Sequence, residues 1–335
     1  MRDLTPKERY LNILKGKEVD RPSCTCPLQT GTVELMEKTG AFWPQAHSDP
    51  EKMLELAYAA HKYAGLESVR LPFCLTVEAE AIGCKLKTGD ESSQPSVVGH
   101  VLSGKSIDDI SVPEPEKDGR MPAVGQAVSM AQEKYGEDLP ILAGIVGPFT
   151  LAGHMKGVEN LLLDFFDDID SVMRILAFTQ DICASYGRYL EDMGADSVVI
   201  IEPTATTELI GPDSFRDMVK PILMSISSAL SNPSVLHICG DTTPMLKDMG
   251  ETGIEAISVD HLVDLGEARE ILKSNALVGN INPIDTLMMG TRDAIACETT
   301  DCIKKGADII APGCGISPKT PTENISTYTS IVKEA

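Results

Sequence analysis

Short runs of apolar and β-branched residues alternate along this chain with longer stretches of amphipathic, helical pattern. Some of these runs are apolar at every position, as over residues 198–201 and 309–311. Continuous apolar runs are typical of parallel strands that helices cover on one face and a core covers on the other. The pattern predicts eight strands, over residues 22–26, 68–73, 141–146, 197–202, 235–239, 256–260, 276–281 and 308–311.

The stretches between these strands have recognisable helix ends. Thr5, Pro6 and Glu8 form a capping box with proline in the first turn, and the dipeptide Asp49-Pro50 opens a second helix. Further helices are predicted over residues 170–193, 213–230 and 291–305. Eight strands separated by helices predict an α/β fold of the (β/α)8 TIM-barrel type, with a doubly wound open sheet as the alternative.

One segment does not fit the strand–helix repeat. Residues 83–119 are polar and rich in charged residues and proline, and they predict an excursion from the barrel in the form of a hairpin and a cap. Because barrels routinely reach a length of 335 residues as one domain, we expect residues 1–335 to form a single TIM-barrel catalytic domain.

Composition narrows the classes of function. The formal net charge of −21 argues against a nucleic-acid partner, which normally meets a basic face. No signal-peptide pattern and no apolar run long enough for a membrane span is present. Nine cysteines, an odd number, do not suggest a disulfide framework. We therefore expect a cytoplasmic protein with free thiols for metal binding or catalysis.

The candidate chemistry is concentrated in two segments. His237 and Cys239 alternate on one face at the end of the fifth predicted strand, and Cys314 follows the last strand in a Pro-Gly-Cys-Gly turn. Barrel enzymes keep their active sites at the C-terminal ends of the strands, so the three side chains are expected to converge. One imidazole and two thiolates suit a tetrahedral Zn²⁺ with one position open for a substrate. The alternative is a chance pair of buried core residues.

Two neighbouring residues extend this prediction. Asp260 ends the next strand at the same level, and it is either a displaceable fourth zinc ligand or a residue that caps the following helix or orients His237. His261 is expected to face away from Asp260. Cys24 and Cys26 also share a strand face and form a weaker candidate metal pair.

At the level of these motifs the chain resembles the methylated-corrinoid:coenzyme M methyltransferases of methylotrophic methanogens. The resemblance rests on the segment Leu236-His237-Ile238-Cys239-Gly240 together with Cys314. Supporting segments are Gln29-Thr30-Gly31, Trp43-Pro44-Gln45-Ala46-His47, Val69-Arg70-Leu71-Pro72-Phe73, Gln94-Pro95-Ser96-Val97 and Ala311-Pro312-Gly313-Cys314-Gly315. It runs from about Thr5 to the C-terminus.

This resemblance implies a uroporphyrinogen-decarboxylase-like barrel, zinc held by His237, Cys239 and Cys314, and methyl transfer from a methylated corrinoid protein to coenzyme M in methanogenesis. Two departures are visible. Members of the family carry Glu where this chain has Asp260. True decarboxylases carry arginines after the first strand, whereas residues 26–31 contain none, which argues against decarboxylation.

The acceptor's anionic end requires a cation or a helix N-terminus. Arg70 on the second strand and Lys319 beyond Cys314 are the candidates, with surface ion pairs as the alternative for each. Two other functions remain open at this point: a zinc methyltransferase that acts on homocysteine or another thiol, and a non-catalytic barrel stabilised by zinc.

Overall fold

Six parallel strands form the central sheet of the computed structural model, which describes residues 3–335 apart from the side chain of Phe166. Met1 and Arg2 of the expected domain lie outside the described residues. The six strands are β1 (Val69–Leu71), β4 (Ile141–Val146), β5 (Ser197–Ile201), β6 (Ser234–His237), β7 (Ala256–Ser258) and β8 (Ala276–Val278), while β2 (Lys85–Lys87) and β3 (Ser96–Gly99) form a separate sheet. The order in the central sheet is β1-β4-β5-β6-β7-β8, so β1 pairs with β4 and each later strand pairs with the one that follows it. Every residue of the six parallel strands is buried.

Two extended segments close this sheet into a barrel. Ile309 forms parallel bridges with Val278 of β8 on one side and with Ser23 on the other. The carbonyl of Cys24 then accepts a hydrogen bond from the amide of Glu67, just before β1. The barrel prediction is confirmed, but residues 22–26 and 308–311 form isolated bridges rather than regular strands. Prolines at positions 22, 27 and 312 lack the amide hydrogens that longer ladders need.

Helices surround the barrel. They are α1 (Pro6–Leu14), α2 (Val33–Thr39), α3 (Pro50–Ala64), α4 (Val77–Ala81), α5 (Met121–Tyr135), α6 (Pro148–Lys156), α7 (Val158–Asp167), α8 (Ile169–Asp192), α9 (Gly211–Ser214), α10 (Lys220–Ala229), α11 (Leu246–Gly250), α12 (Leu265–Ile271), α13 (Arg292–Lys304) and α14 (Thr322–Lys333). Both sides of the predicted capping box between Thr5 and Glu8 are present at α1, and Asp49 caps α3. The apolar face of α8 packs against β4 and β5.

The helix predicted over residues 213–230 is interrupted. Between α9 and α10, residues Phe215–Val219 form a π-helical stretch. Pro221, at the start of α10, has no amide hydrogen to donate back along the helix, and its ring crowds the preceding turn. A locally widened turn relieves this conflict.

The excursion contains the predicted hairpin. Strands β2 and β3 pair antiparallel within residues 83–119, and short 3₁₀ turns at Val101–Ser103 and Ile107–Asp109 follow them. Among residues 3–335, no helix is both long and apolar enough to cross a bilayer.

Candidate functional site

Three of the predicted metal-binding side chains meet at the C-terminal mouth of the barrel. His237 is the last residue of β6, Cys239 lies two residues beyond it, and Cys314 follows the closing segment at Ile309. The Cys239 sulfur lies 3.3 Å from His237 Nε2 and 3.9 Å from the Cys314 sulfur. All three donor atoms lie within 4.8 Å of one another.

Ser258 orients the imidazole of His237 through a contact with its Nδ1 atom. The register of β6 and β7 places these two residues opposite each other, and His237 Nδ1 lies 3.1 Å from Ser258 Oγ. Both residues are buried. Because Nδ1 is occupied by the hydroxyl, Nε2 is the nitrogen that faces Cys239. Sequence reasoning missed Ser258, although its position on the inward face of the predicted strand 256–260 was a usable signal.

Ser258→Ala is expected to lower the affinity for zinc by roughly 10- to 100-fold, because partners behind a metal-binding histidine fix its ring and tautomer. Competition with a chelator measures the affinity. Ser234→Ala removes another buried serine hydroxyl, which lies at the start of β6 and away from the three candidate metal donors. It is the matched control and should leave the affinity unchanged. Equal affinities in Ser258→Ala and the parent chain would exclude the orienting role.

The two thiols are hydrogen-bonded to each other, and either sulfur can be the donor. This hydrogen bond lowers the pKa of the Cys314 thiol and raises the pKa of the Cys239 thiol. A soft divalent cation would displace the thiol protons and bind both sulfurs as thiolates.

The donor set fits zinc. Two sulfurs bound at ~2.3 Å with tetrahedral angles would lie about 3.8 Å apart, and the sulfurs of Cys239 and Cys314 lie 3.9 Å apart. One imidazole and two thiolates leave a tetrahedral ion one further position. The side chains therefore need little movement to hold the ion.

Close backbone packing positions the turn that carries Cys314. An ideal Cβ on Gly313 would lie 2.4 Å from the amide nitrogen of His261, so no larger residue fits without a shift of the backbone. The Gly313 amide also donates to the carbonyl of Ile281 at 2.8 Å. The Pro-Gly-Cys-Gly sequence thus allows the turn to lie directly against the loop that follows β7.

Asp260 holds the turn after Cys239. Its carboxylate accepts hydrogen bonds from the amides of Gly240 and Leu262, each at 3.1 Å, and the residue is buried. It does not belong to the group formed by His237, Cys239 and Cys314. Of the roles considered for Asp260, two are taken by other residues. Ser258 orients the His237 ring, and Asp264 caps the next helix, α12.

The expected orientation of His261 is wrong. Its Nδ1 lies 2.7 Å from the carboxylate of Asp260 instead of facing away from it. Strand β7 ends at Ser258, so both residues lie in a loop where the alternation of strand faces no longer applies.

A cavity of about 250 Å³ opens over the three donor atoms. Its walls are mostly apolar, and the hairpin excursion contributes Gln94 to them. The lining residues are Leu28, Gln29, Arg70, Phe73, Cys74, Leu75, Gln94, Ile201, Pro203, His237, Cys239, Cys314, Gly315, Ile316, Ser317 and Pro318.

Arg70 is the cation of this cavity. It is only 1% exposed, its Nε donates to the carbonyl of Pro27 at 3.0 Å, and its Nη1 has no hydrogen-bond partner among the described residues. Burial lowers the pKa of Arg70 to about 10, so the guanidinium stays charged at neutral pH. Gly144 provides the space, because a Cβ there would lie 2.2 Å from Arg70 Nη2. Lys319 is exposed and does not line the cavity.

The second candidate metal pair has no support from the geometry. Cys24 and Cys26 are buried, and neither belongs to a group of three possible ligands within the described residues. Burial raises the pKa of the Cys26 thiol to about 12 and that of Cys24 further, so both are neutral core thiols.

Comparison with known proteins identifies the family. Residues 5–335 match the family model of uroporphyrinogen decarboxylase (URO-D). The chain belongs to the URO-D family. Within it, the chain is 40% identical to the methylcobamide:CoM methyltransferase MtbA of Methanosarcina mazei, over 99% of both chains. It is 39% identical to MtaA of Methanosarcina barkeri, with the same description, over 97% of this chain and 96% of the other.

Solved structures agree with this assignment. A methyltransferase from Methanosarcina mazei superposes with a TM-score of 0.96 at 38% identity and covers 99% of each chain. The predicted barrel of this URO-D family member and its resemblance to corrinoid:coenzyme M methyltransferases are both confirmed. The roles of the individual site residues stay predictions.

Proposed function

We propose that this URO-D family member transfers a methyl group from a methylated corrinoid protein to the thiol of coenzyme M, as a step of methylotrophic methanogenesis. Zinc held by His237, Cys239 and Cys314 is part of the proposal, as is one barrel domain that spans residues 1–335. The observation that carries it is the presence, in one cavity, of a zinc-compatible donor set and a buried cation with a free donor. The descriptions of the relatives, methylcobamide:CoM methyltransferases, support it.

The three candidate metal donors would make the acceptor thiol reactive, which is the main chemical requirement of the reaction. A free thiol with a pKa of about 8.5 is mostly protonated at neutral pH and reacts poorly as a nucleophile. Zinc in this site would hold the acceptor's sulfur as a thiolate. His237, whose Nδ1 lies against the Ser258 hydroxyl, would contribute an imidazole nitrogen to the site, and the two cysteines would contribute sulfurs.

The remaining cavity residues would orient the acceptor. Coenzyme M is a short thiol with a sulfonate at its other end. The free Nη1 of Arg70 is available for that sulfonate, and the apolar side chains of Leu28, Phe73 and Ile201 exclude water around the sulfur. The acceptor thiol releases its proton, its sulfur takes the methyl group, and the bonding electron pair remains with the corrinoid.

The cavity favours a sulfonate over an amino-acid acceptor. Among the described lining residues none is an aspartate or glutamate, so the ammonium group of homocysteine would meet no carboxylate there. A buried ammonium without a partner is costly. This observation ranks coenzyme M above homocysteine.

The decisive experiment supplies methylcobalamin as donor and compares coenzyme M with homocysteine, with zinc present and after chelation. We expect methyl transfer to coenzyme M only, and only with zinc. The apo-protein should stay folded by circular dichroism, because the barrel core does not depend on the metal. Transfer to homocysteine and not to coenzyme M would identify homocysteine as the acceptor. Unfolding on chelation would show that the metal has a structural role.

Asp260→Ala tests whether this carboxylate positions the Cys239 turn or binds the metal. If Asp260 acts through Gly240, the variant should retain one zinc per chain and lose roughly 10-fold in methyl transfer. Asp260→Asn keeps a carbonyl oxygen that can accept from Gly240 and should recover most of the rate. X-ray absorption measures the non-sulfur coordination of the zinc. A change in that coordination in Asp260→Ala would assign Asp260 as the fourth ligand.

A further inference from the structure

The segment over residues 27–32, between the first closing segment of the barrel and α2, connects the two ends of the cavity. The Pro27 carbonyl holds the Arg70 side chain through Nε at 3.0 Å. Two residues later, the Gln29 carbonyl accepts the amide of Ile316 at 2.9 Å, next to the turn that carries Cys314. One short stretch of backbone therefore contacts both the cation and the loop of a predicted metal ligand.

The side chain of Gln29 strengthens this connection. Its amide nitrogen donates to the carbonyl of Ile316 and to the carbonyl of Gly31, and its amide oxygen accepts from the amide of Gly31. The side chain is only 8% exposed and all its hydrogen bonds go to backbone groups. Gln29 thus links its own loop to the Cys314 loop through both main-chain and side-chain contacts.

The packing around Gln29 leaves no room for the two loops to slide. An ideal Cβ on Gly315 would lie 3.3 Å from Gln29 Cβ, and one on Gly31 would lie 2.8 Å from the ring of Trp43. Farther along, the amide of Val33 donates to the carbonyl of Pro318 at 2.8 Å. The two loops are held together over several consecutive residues.

We infer that Gln29 is a positioning residue that sets the distance between the anion-binding end and the thiol-binding end of the cavity, and so determines the length of the acceptor. The inference rests on the proposed function. Arg70 receives the acceptor's anionic group, the Cys239 and Cys314 sulfurs mark the place of the acceptor thiol, and Gln29 holds these two ends in register. A thiol with one extra methylene then places its sulfur or its sulfonate out of reach.

The test compares 2-mercaptoethanesulfonate with 3-mercaptopropanesulfonate in the zinc-loaded protein, with methylcobalamin as donor. One methylene changes kcat/KM by roughly 10- to 200-fold in a well-fitted pocket, and we expect the parent chain to prefer the shorter thiol by such a factor. Gln29→Met keeps a similar volume but removes the three side-chain hydrogen bonds. It should reduce the preference by about 10-fold, because the loops can then adopt more than one separation. Gln45→Met, at an exposed position, is the matched control.

Two measurements do not depend on turnover. Calorimetric dissociation constants of the two thiols should converge in Gln29→Met, while its zinc content stays at that of the parent chain. The amides of Gly31 and Ile316 should exchange with deuterium faster than in the parent chain. An unchanged ratio for the two thiols, or a loss of zinc that weakens both thiols equally, would overturn the positioning role. A parent chain that neither binds nor methylates either sulfonate thiol would overturn the proposed function, and this inference with it.

Discussion

Cys239→Ala is expected to remove stoichiometric zinc and to reduce methyl transfer to coenzyme M by roughly 10³-fold or more. The loss of one thiolate leaves two of the three donors, and a metal site contributes several kcal/mol to the stabilisation of the reacting groups. The parent chain should contain one zinc, and addition of coenzyme M should raise the number of sulfurs bound to it from two to three. Elemental analysis, X-ray absorption and the methylcobalamin assay measure these quantities.

Cys297→Ala is the matched control, because Cys297 is an exposed cysteine on α13. It should retain both zinc and activity. Circular dichroism checks that the Cys239 variant is folded. Undiminished zinc in Cys239→Ala, or a sulfur count that does not respond to coenzyme M or homocysteine, would contradict the activation of a thiol at this site.

Arg70→Met is the second substitution with a large expected effect. It removes a buried cation that we propose pairs with the sulfonate, and loss of one member of such a pair costs about 3 kcal/mol, or roughly 100-fold in kcat/KM for coenzyme M. The zinc content should not change. With the neutral thiol 2-mercaptoethanol as acceptor, the same substitution should have little effect, because no anion is present to lose its partner.

Lys319→Met tests which of the two candidate cations, Arg70 or Lys319, binds the anionic group of the acceptor. Lys319 is exposed and outside the cavity lining, so its removal should leave kcat/KM for coenzyme M within about twofold of the parent value. A larger loss in Lys319→Met than in Arg70→Met would transfer the anion-binding role to Lys319. Equal losses of sulfonate and neutral thiol in Arg70→Met would indicate a packing defect instead.

Local periodicity predicted most of the barrel. The apolar runs at Ile141–Val146 and Ser197–Ile201 are strands with every residue buried, as the pattern indicated. The two closing segments deviate because the number of ladder hydrogen bonds depends on the partner strand and on nearby prolines. The π-helical stretch Phe215–Val219 was missed because the amphipathic pattern is the same in an α-helix, and only Pro221 signals the change.

The sequence predicted those metal donors that can be identified from their position on or just after a single strand. His237 and Cys239 share a strand face, and Cys314 follows a strand whose end must lie at the same mouth of the barrel. Ser258 could be found only from the register of β6 and β7, and the contacts of Gln29 depend on the approach of a loop 287 residues away.

The sequence by itself determined the barrel class and the three candidate metal donors, because strand alternation and residue type are properties of short segments. Only the tertiary structure decided that Arg70 rather than Lys319 lines the cavity, that Ser258 orients His237, and that Asp260 contacts Gly240 and His261. These choices depend on strand register and on loop–loop packing. Both are settled by the burial of side chains that lie far apart in the chain.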